Sequence, residues 1–214
     1  MDGPVGRNRG QERQGLGNKA TVKCRGGSFG RVAIELVFET HSTTEDNLAL
    51  LASGWLPGKL SDIGREQALQ LGRRRQHDGI DVVFSSDLRR ALETAEIAFG
   101  RTAVPLLHDW RLRECDYGLL NGRPTSEVVA ERAAYLERPY PGGESWRQAV
   151  QRVGSFVADL PPRWEGARVL VLGHVATRWG LDHWVNGKAL ADLAASEFVW
   201  QGGWEYVLPT ATGQ

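Results

Sequence analysis

The sequence predicts an α/β protein, a three-layer sandwich with a mainly parallel central sheet flanked by helices. Three observations carry this expectation. Runs of strand-forming residues at 31–38, 80–86 and 168–173 are apolar on both parities, as in strands covered on both faces. They alternate with segments of helical character, an order that builds parallel sheets. The chain has 214 residues, 41% of them hydrophobic and 24% charged. A globule of that length buries about 70% of the surface its unfolded chain exposes, so no metal or disulfide staple is needed for a core.

The elements follow in order. "RVAIELVF" (31–38) reads as a central strand, rich in β-branched residues. "LSDIGREQALQLGRRRQHDG" (60–79) reads as a helix with Ile63, Ala68, Leu69 and Leu71 as its apolar positions and Gly79 as its end. "IDVVFSS" (80–86) is a second strand. "SDLRRALETAEIAFG" (86–100) is a helix for which Ser86 and Asp87 are capping types. "AVPLLH" (103–108) is a short strand, and 123–138 and 143–160 are helices. "RVLVLG" (168–173) is the clearest strand, and 176–186 is helical. "SEFVWQ" and "WEYVL" suggest a terminal hairpin around Gly202 and Gly203. One domain is expected over 32–209.

Charge is uneven along the chain. The net charge is zero, yet residues 1–31 hold seven basic and two acidic residues. That Gly- and Arg-rich stretch lacks apolar periodicity and an apolar signal core. It is expected to be a disordered basic tail, as are residues 210–214. A nucleic-acid-binding arm is the less favoured reading, and no nucleic-acid partner is expected. No window approaches the ~20 apolar residues of a membrane span. Two cysteines, Cys24 and Cys115, are too few for a disulfide framework, so a cytoplasmic location is expected.

Several familiar motifs fail. "SGWLPGKLS" has three residues, not four, between Gly54 and Gly58, and Leu60 stands where a phosphate-binding loop needs Ser or Thr. "GLGNKA" (15–20) follows no strand. No HExxH occurs, which argues against a zinc site. Two histidines remain. His41 lies just past the first strand and His174 just past "RVLVLG", and ligands of open α/β sheets bind at the carboxyl ends of strands. Ser86 follows the second strand.

Four segments are informative together: "THSTTEDN" with His41, "SSDLRRALETAE" with Arg90, "LRECDYGLLNG" with Glu114 and "LGHVATR" with His174. With "SGWLPGKLSDIGREQA" and "PGGES", they make residues 32–208 resemble the histidine phosphatase superfamily, which includes cofactor-dependent phosphoglycerate mutase. The resemblance implies a phosphoglycerate mutase-like fold and a phosphohistidine formed on His41. Glu114 would be the general acid, and Arg90 and His174 would clamp the phosphate. Thr44 and Asn47 fall on the signature threonine and asparagine. Thr40, Ser42, Ser53, Gly54 and Val175 are the further implied substrate contacts.

The residue types suit the chemistry. Phosphoryl transfer needs an in-line nucleophile and donors around the equatorial oxygens. A neutral imidazole supplies the first, and a planar guanidinium matches two phosphate oxygens. No metal and no cofactor are expected, because cationic side chains supply the charge. The signature departs at Thr40, Ser42 and Thr43, where the family pattern has Arg, Gly and Glu. Glu39 adds an acid nearby. Hydroxyls of the "THSTT" run, joined by Arg178 or Arg113, are the candidates to complete the site. The favoured reading is a phosphatase of a small phosphomonoester. A binding protein that has lost catalysis, or transfer chemistry on another substrate, stays open. Eight tryptophans are many for this length. Trp55 and Trp110 are expected in the core or beside the pocket, and Trp200 and Trp204 in the core or at a homodimer interface.

Overall fold

The computed structural model describes residues 33–210. The basic segment 1–31 and residues 211–214 lie outside the described residues. Thr210, expected in the C-terminal tail, is buried, and its hydroxyl donates to Glu165 Oε1 at 3.1 Å.

The first half contains β1 (Ala33–Thr40), α1 (Glu45–Leu48), β2 (Leu51–Ala52), α2 (Asp62–Arg75), β3 (Val82–Ser85), α3 (Arg89–Phe99) and β4 (Leu106–His108). The second half contains β5 (Arg123–Pro124), α4 (Thr125–Glu131), α5 (Trp146–Ala158), α6 (Pro161–Trp164), β6 (Arg168–Gly173), α7 (Val175–Trp184), α8 (Leu190–Ala195) and β7 (Trp204–Pro209). Five strands form one sheet in the order β4-β3-β6-β1-β7, and β2 pairs with β5 apart from it. β4, β3, β6 and β1 are mutually parallel, and β7 runs antiparallel along β1. This is the α/β sandwich the sequence predicts.

The side chains of the central strands explain their unbroken apolar character. Ile34, Leu36, Phe38, Phe84, Val169 and Val171 pack on one face against Val153 and Phe156 of α5 and Leu181 of α7. Val37, Val83, Leu170 and Leu172 pack on the other against Leu71 of α2 and Ala91 and Phe99 of α3. Alternation along a strand sends neighbours to opposite faces, and both faces are covered. Each such side chain contributes about 1.5–3 kcal/mol when fully buried.

The register places the ligand end. Thr40 pairs with Gly173, so β1 and β6 end side by side and His41 and His174 leave the sheet together. β3 ends one strand over, with Ser85 opposite Leu172.

Several elements differ from expectation. Residues 196–201 form no strand, so there is no terminal hairpin. β7 instead zips onto the free edge of β1, Phe38 opposite Trp204, where six residues find partners at once. In α2 the inward positions are Gly64, Ala68, Leu71 and Arg75, while Ile63 and Leu69 are exposed. The helix expected at 123–138 starts at Thr125, is α-helical only to Glu131 and tightens into a 3₁₀ turn over Arg132–Tyr135. α3 starts at Arg89 with no side-chain cap, because Ser86 and Asp87 have other partners described below. A glycine is required at Gly64. A Cβ there would lie 1.9 Å from the Thr43 carbonyl oxygen, so only Gly lets α2 approach the loop after His41 this closely.

Candidate active site

His41 follows β1 and lines a cavity of about 890 Å³. Its Nδ1 lies 2.8 Å from the Ser42 carbonyl oxygen. A carbonyl only accepts, so Nδ1 carries the proton and Nε2 presents a lone pair. Arg90 Nε donates to that Nε2 at 3.3 Å. The rest of the Arg90 fork is aimed by two carbonyls, Leu56 at 3.2 Å and Gly54 at 2.8 Å. The backbone of Ser42 is in turn pinned to Thr94 Oγ1 at 3.0 Å.

His174 stands beside His41, with 4.9 Å between ring centroids. Its Nε2 is 3.0 Å from Ser86 Oγ, which already accepts from the Leu88 amide. A hydroxyl both donates and accepts, so this contact orients the His174 ring without fixing which nitrogen carries the proton. The buried Nδ1 has no hydrogen-bond partner among the described residues. It is a polar atom available to a ligand in the cavity that His174 lines. Ser86 thus orients a histidine instead of capping α3, and Asp87 pairs with Arg113.

Glu114 is buried at the N-terminus of α7. Its Oε1 accepts from the amides of Cys115 (2.9 Å) and Ala176 (3.0 Å), and its Oε2 from Val175 (3.3 Å). Its own carbonyl accepts from Trp55 Nε1 at 2.6 Å and from Arg152 at 2.7 Å. Arg152 also donates to the carbonyls of Arg111 and Arg113 and to both carboxylate oxygens of Glu144. This buried arginine organises the loop that carries Glu114, and nothing local in the sequence marks it.

His41, Arg90, Glu114 and His174 line the one cavity, with Thr40, Ser42, Asn47, Ser53, Gly54 and Val175. Thr44 does not line it. Its hydroxyl accepts from the Asn47 amide at 3.0 Å, and Asn47 Oδ1 accepts from the Thr44 amide, a capping box that closes α1. Arg113 and Arg178, the candidate second cations, lie elsewhere. Arg113 is held by Asp87 and stacks on Trp55, and Arg178 lies over Trp204 and Phe198. The cations on the cavity wall besides Arg90 are Arg74 and Arg132, neither singled out from sequence. Trp146 and Trp200 line the cavity, Trp110 is exposed and Trp204 packs on Phe38. Among the described residues no group of three or more His, Cys, Asp or Glu could hold a metal, and no helix is long and apolar enough to cross a membrane.

The family follows from comparison with known proteins. The model of the histidine phosphatase superfamily (branch 1) matches residues 36–198, most of the chain. The chain belongs to the histidine phosphatase superfamily. Among its superfamily relatives, the 2,3-bisphosphoglycerate-dependent phosphoglycerate mutase of Methylobacterium radiotolerans is 37% identical over 155 residues, 65% of this chain and 73% of that protein. The probable phosphoglycerate mutase GpmB of Salmonella typhi is 30% identical over 170 residues, 72% and 79% of the two chains. A mycobacterial glucosyl-3-phosphoglycerate phosphatase solved with VO3 superposes with a TM-score of 0.65 at 31% identity, covering 75% of this chain and 86% of that one. The α-ribazole phosphatase of Shigella flexneri gives 0.67 at 26% identity, covering 78% and 87%. These superfamily neighbours are phosphatases and mutases.

Both histidines of this superfamily member are held neutral. Burial first, and the neighbouring Arg90 second, push His41 down to about 3, with the Ser42 carbonyl opposing. The same two causes push His174 well below the ordinary histidine value, and His41 adds to them. The folded chain therefore resists protons that the unfolded chain takes up below about pH 6.5. Stability is fully present above that value and falls as pH drops beneath it. Each fully depressed histidine costs up to about 1.4 kcal/mol per pH unit there. Urea unfolding between pH 7.5 and 5 should show this loss, and His174→Gln should shrink it by about 2 kcal/mol at pH 5. An unchanged pH dependence in that variant would exclude His174 as a source.

Proposed function

We propose that the chain is a phosphomonoester hydrolase working through a phosphohistidine on His41. The observation that carries the reading is the fixed tautomer of His41: the Ser42 carbonyl holds the Nδ1 proton and leaves Nε2 as the nucleophile beside Arg90. The Nε2 lone pair forms the N–P bond as the bond from phosphorus to the leaving oxygen breaks. Glu114 gives its proton to that oxygen. Arg90 turns from His41 to the equatorial oxygens, and His174, in the tautomer protonated at its unpartnered Nδ1, donates to another. Water then attacks phosphorus, the N–P bond breaks, and Glu114 takes a proton back from the water. Superfamily phosphatases of similar fold support hydrolysis.

The test is phosphate release from a panel of small phosphomonoesters at pH 5–8, with a quench that avoids acid and a probe for phosphohistidine. Turnover with a labelled His41 supports the reading. A folded chain that neither turns over nor labels overturns it, and retained phosphate binding in that case points to a binding protein.

Arg132 suggests the class of leaving group. It lies over the rings of Trp146 (5.6 Å) and Trp179 (5.2 Å), lines the cavity and has no acid partner among the described residues. Relatives named for phosphoglycerate act on a carboxylated phosphomonoester. Arg132→Gln should lower kcat/KM about tenfold for 3-phosphoglycerate, the worth of one charge-assisted hydrogen bond. For p-nitrophenyl phosphate the change should stay within about threefold. Equal losses on both substrates would remove Arg132 from leaving-group recognition.

A further inference from the structure

A phosphomonoester brings two negative charges to a cavity whose centre holds two neutral imidazoles, one carboxyl group and one arginine, Arg90. The residue before the nucleophile, Thr40, is uncharged. A second cation must come from the wall, and the wall offers Arg74 and Arg132. Arg132 lies over the rings of Trp146 and Trp179. Arg74 is on the side of β1 itself.

Three observations set Arg74 beside His41. Gln67, Gln70, Leu71 and Arg74 all line the cavity, and their spacing makes them one face of α2. Gln67 on that face accepts from the Thr43 amide at 2.9 Å, which ties the face to the loop after His41. Arg74 itself bonds Glu39, two residues before His41 on an extended chain, so Glu39 and His41 project to the same side of the sheet.

The pairing of Glu39 shows which arginine can leave it. Glu39 is buried at 2% exposure. Arg75 approaches its Oε1 through Nε at 2.8 Å and through one terminal nitrogen at 2.7 Å, and its terminal nitrogens also bond Asp78 and the Gly202 carbonyl. Each of its three nitrogens has a partner, and it is buried. Arg74 touches Glu39 with one nitrogen, at 3.1 Å to each carboxylate oxygen. Its Nε and second terminal nitrogen have no partner among the described residues, and its side chain is 37% exposed. Arg75 keeps Glu39 paired when Arg74 moves.

We propose that Arg74 is the second cation of the phosphate site, swinging from Glu39 into the space beside Thr40 to donate to the phosphate. The proposal rests on reading the cavity as a phosphate site. It assigns the charge to a helix across the sheet face, not to the strand that delivers the nucleophile. The alternative role is to neutralise Glu39 and no more.

The experiment measures equilibrium binding of inorganic phosphate to the full chain, wild type and variants, by calorimetry, with thermal unfolding as a check on folding. Arg74→Gln should weaken phosphate binding tenfold to a hundredfold, on the order of one charge-assisted hydrogen bond. Glu39→Gln should bind at least as tightly as wild type, since it frees Arg74. The double variant Glu39→Gln with Arg74→Gln has no unpaired buried acid, so it keeps the test open if the single variant misfolds, and it should stay weak. The proposal is overturned if Arg74→Gln binds within twofold of wild type, if the double variant regains wild-type affinity, or if wild type binds no phosphate. Wild type that binds phosphate but turns nothing over sinks the hydrolase reading and leaves this inference standing.

Discussion

His41→Ala is expected to abolish phosphate release and phosphohistidine labelling while leaving the chain folded. The covalent route needs the Nε2 lone pair, and no neighbouring group supplies an equivalent. His174 has its Nε2 engaged by Ser86. Loss of a nucleophile that acts with its partners as a unit costs at least about ten-thousand-fold in kcat. The effect on folding should be small, because His41 lines the cavity and belongs to none of the apolar core clusters among the described residues. Its removal also releases Arg90 Nε, so phosphate binding should survive in the variant even as turnover disappears. Steady-state phosphate release and labelling on purified protein check this. Turnover above about a tenth of wild type would place the nucleophile elsewhere.

Arg152→Ala should be the most damaging change for stability outside the apolar core. Arg152 is 8% exposed and bonds three successive carbonyl regions, Arg111, Arg113 and Glu114, as well as both oxygens of Glu144. Removing one member of a buried pair leaves the other uncompensated, at a cost of about 3–5 kcal/mol. Here the orphans are the Glu144 charge and the carbonyls of Arg111 and Arg113, while the Glu114 carbonyl keeps Trp55. Arg152→Lys should recover only part, since a single ammonium cannot span a fork of five acceptors. Urea unfolding gives the stability change. A second readout is kcat: the backbone of Glu114 loses one of its two anchors, so the activity remaining in folded protein should fall as well. A loss under about 1 kcal/mol would show that the network is replaceable by water.

The two variants separate what local sequence reveals from what it conceals. His41 and His174 are visible because each ends a strand whose apolar run is unmistakable. Arg152 and Arg74 are invisible. Each lies in an ordinary helical segment, "SWRQAVQR" or "GRRRQ", where an arginine reads as a solvated surface residue or a dipole partner at the helix end. Their partners are distant in sequence: Arg152 meets Arg111, 41 residues away, and Arg74 meets Glu39, 35 away. The same holds for Arg113, whose position beside Glu114 suggested the site and whose fork is instead taken by Asp87, 26 residues back. Ser86 and Asp87 have the right chemistry for a helix cap. Tertiary partners, His174 and Arg113, claim both side chains.

The strand order tells the same story. The alternation of strands and helices suffices for a parallel sheet with helices on both faces, because strands apolar on both parities must be covered twice. It does not reveal that the last strand runs antiparallel beside the first, since "WEYVL" pairs equally well in a local hairpin. The free edge of β1 decides, offering six partners to β7 where a hairpin would need residues 196–201 extended. By itself, then, the sequence determined the layered α/β fold and the place of its two histidines at the carboxyl ends of strands, properties that depend on periodicity and chain order. Only the tertiary structure decided which arginines face the cavity, which hydroxyl orients His174 and where β7 pairs. Those outcomes depend on charges and hydrogen-bond partners brought together from far along the chain, and no local pattern records them.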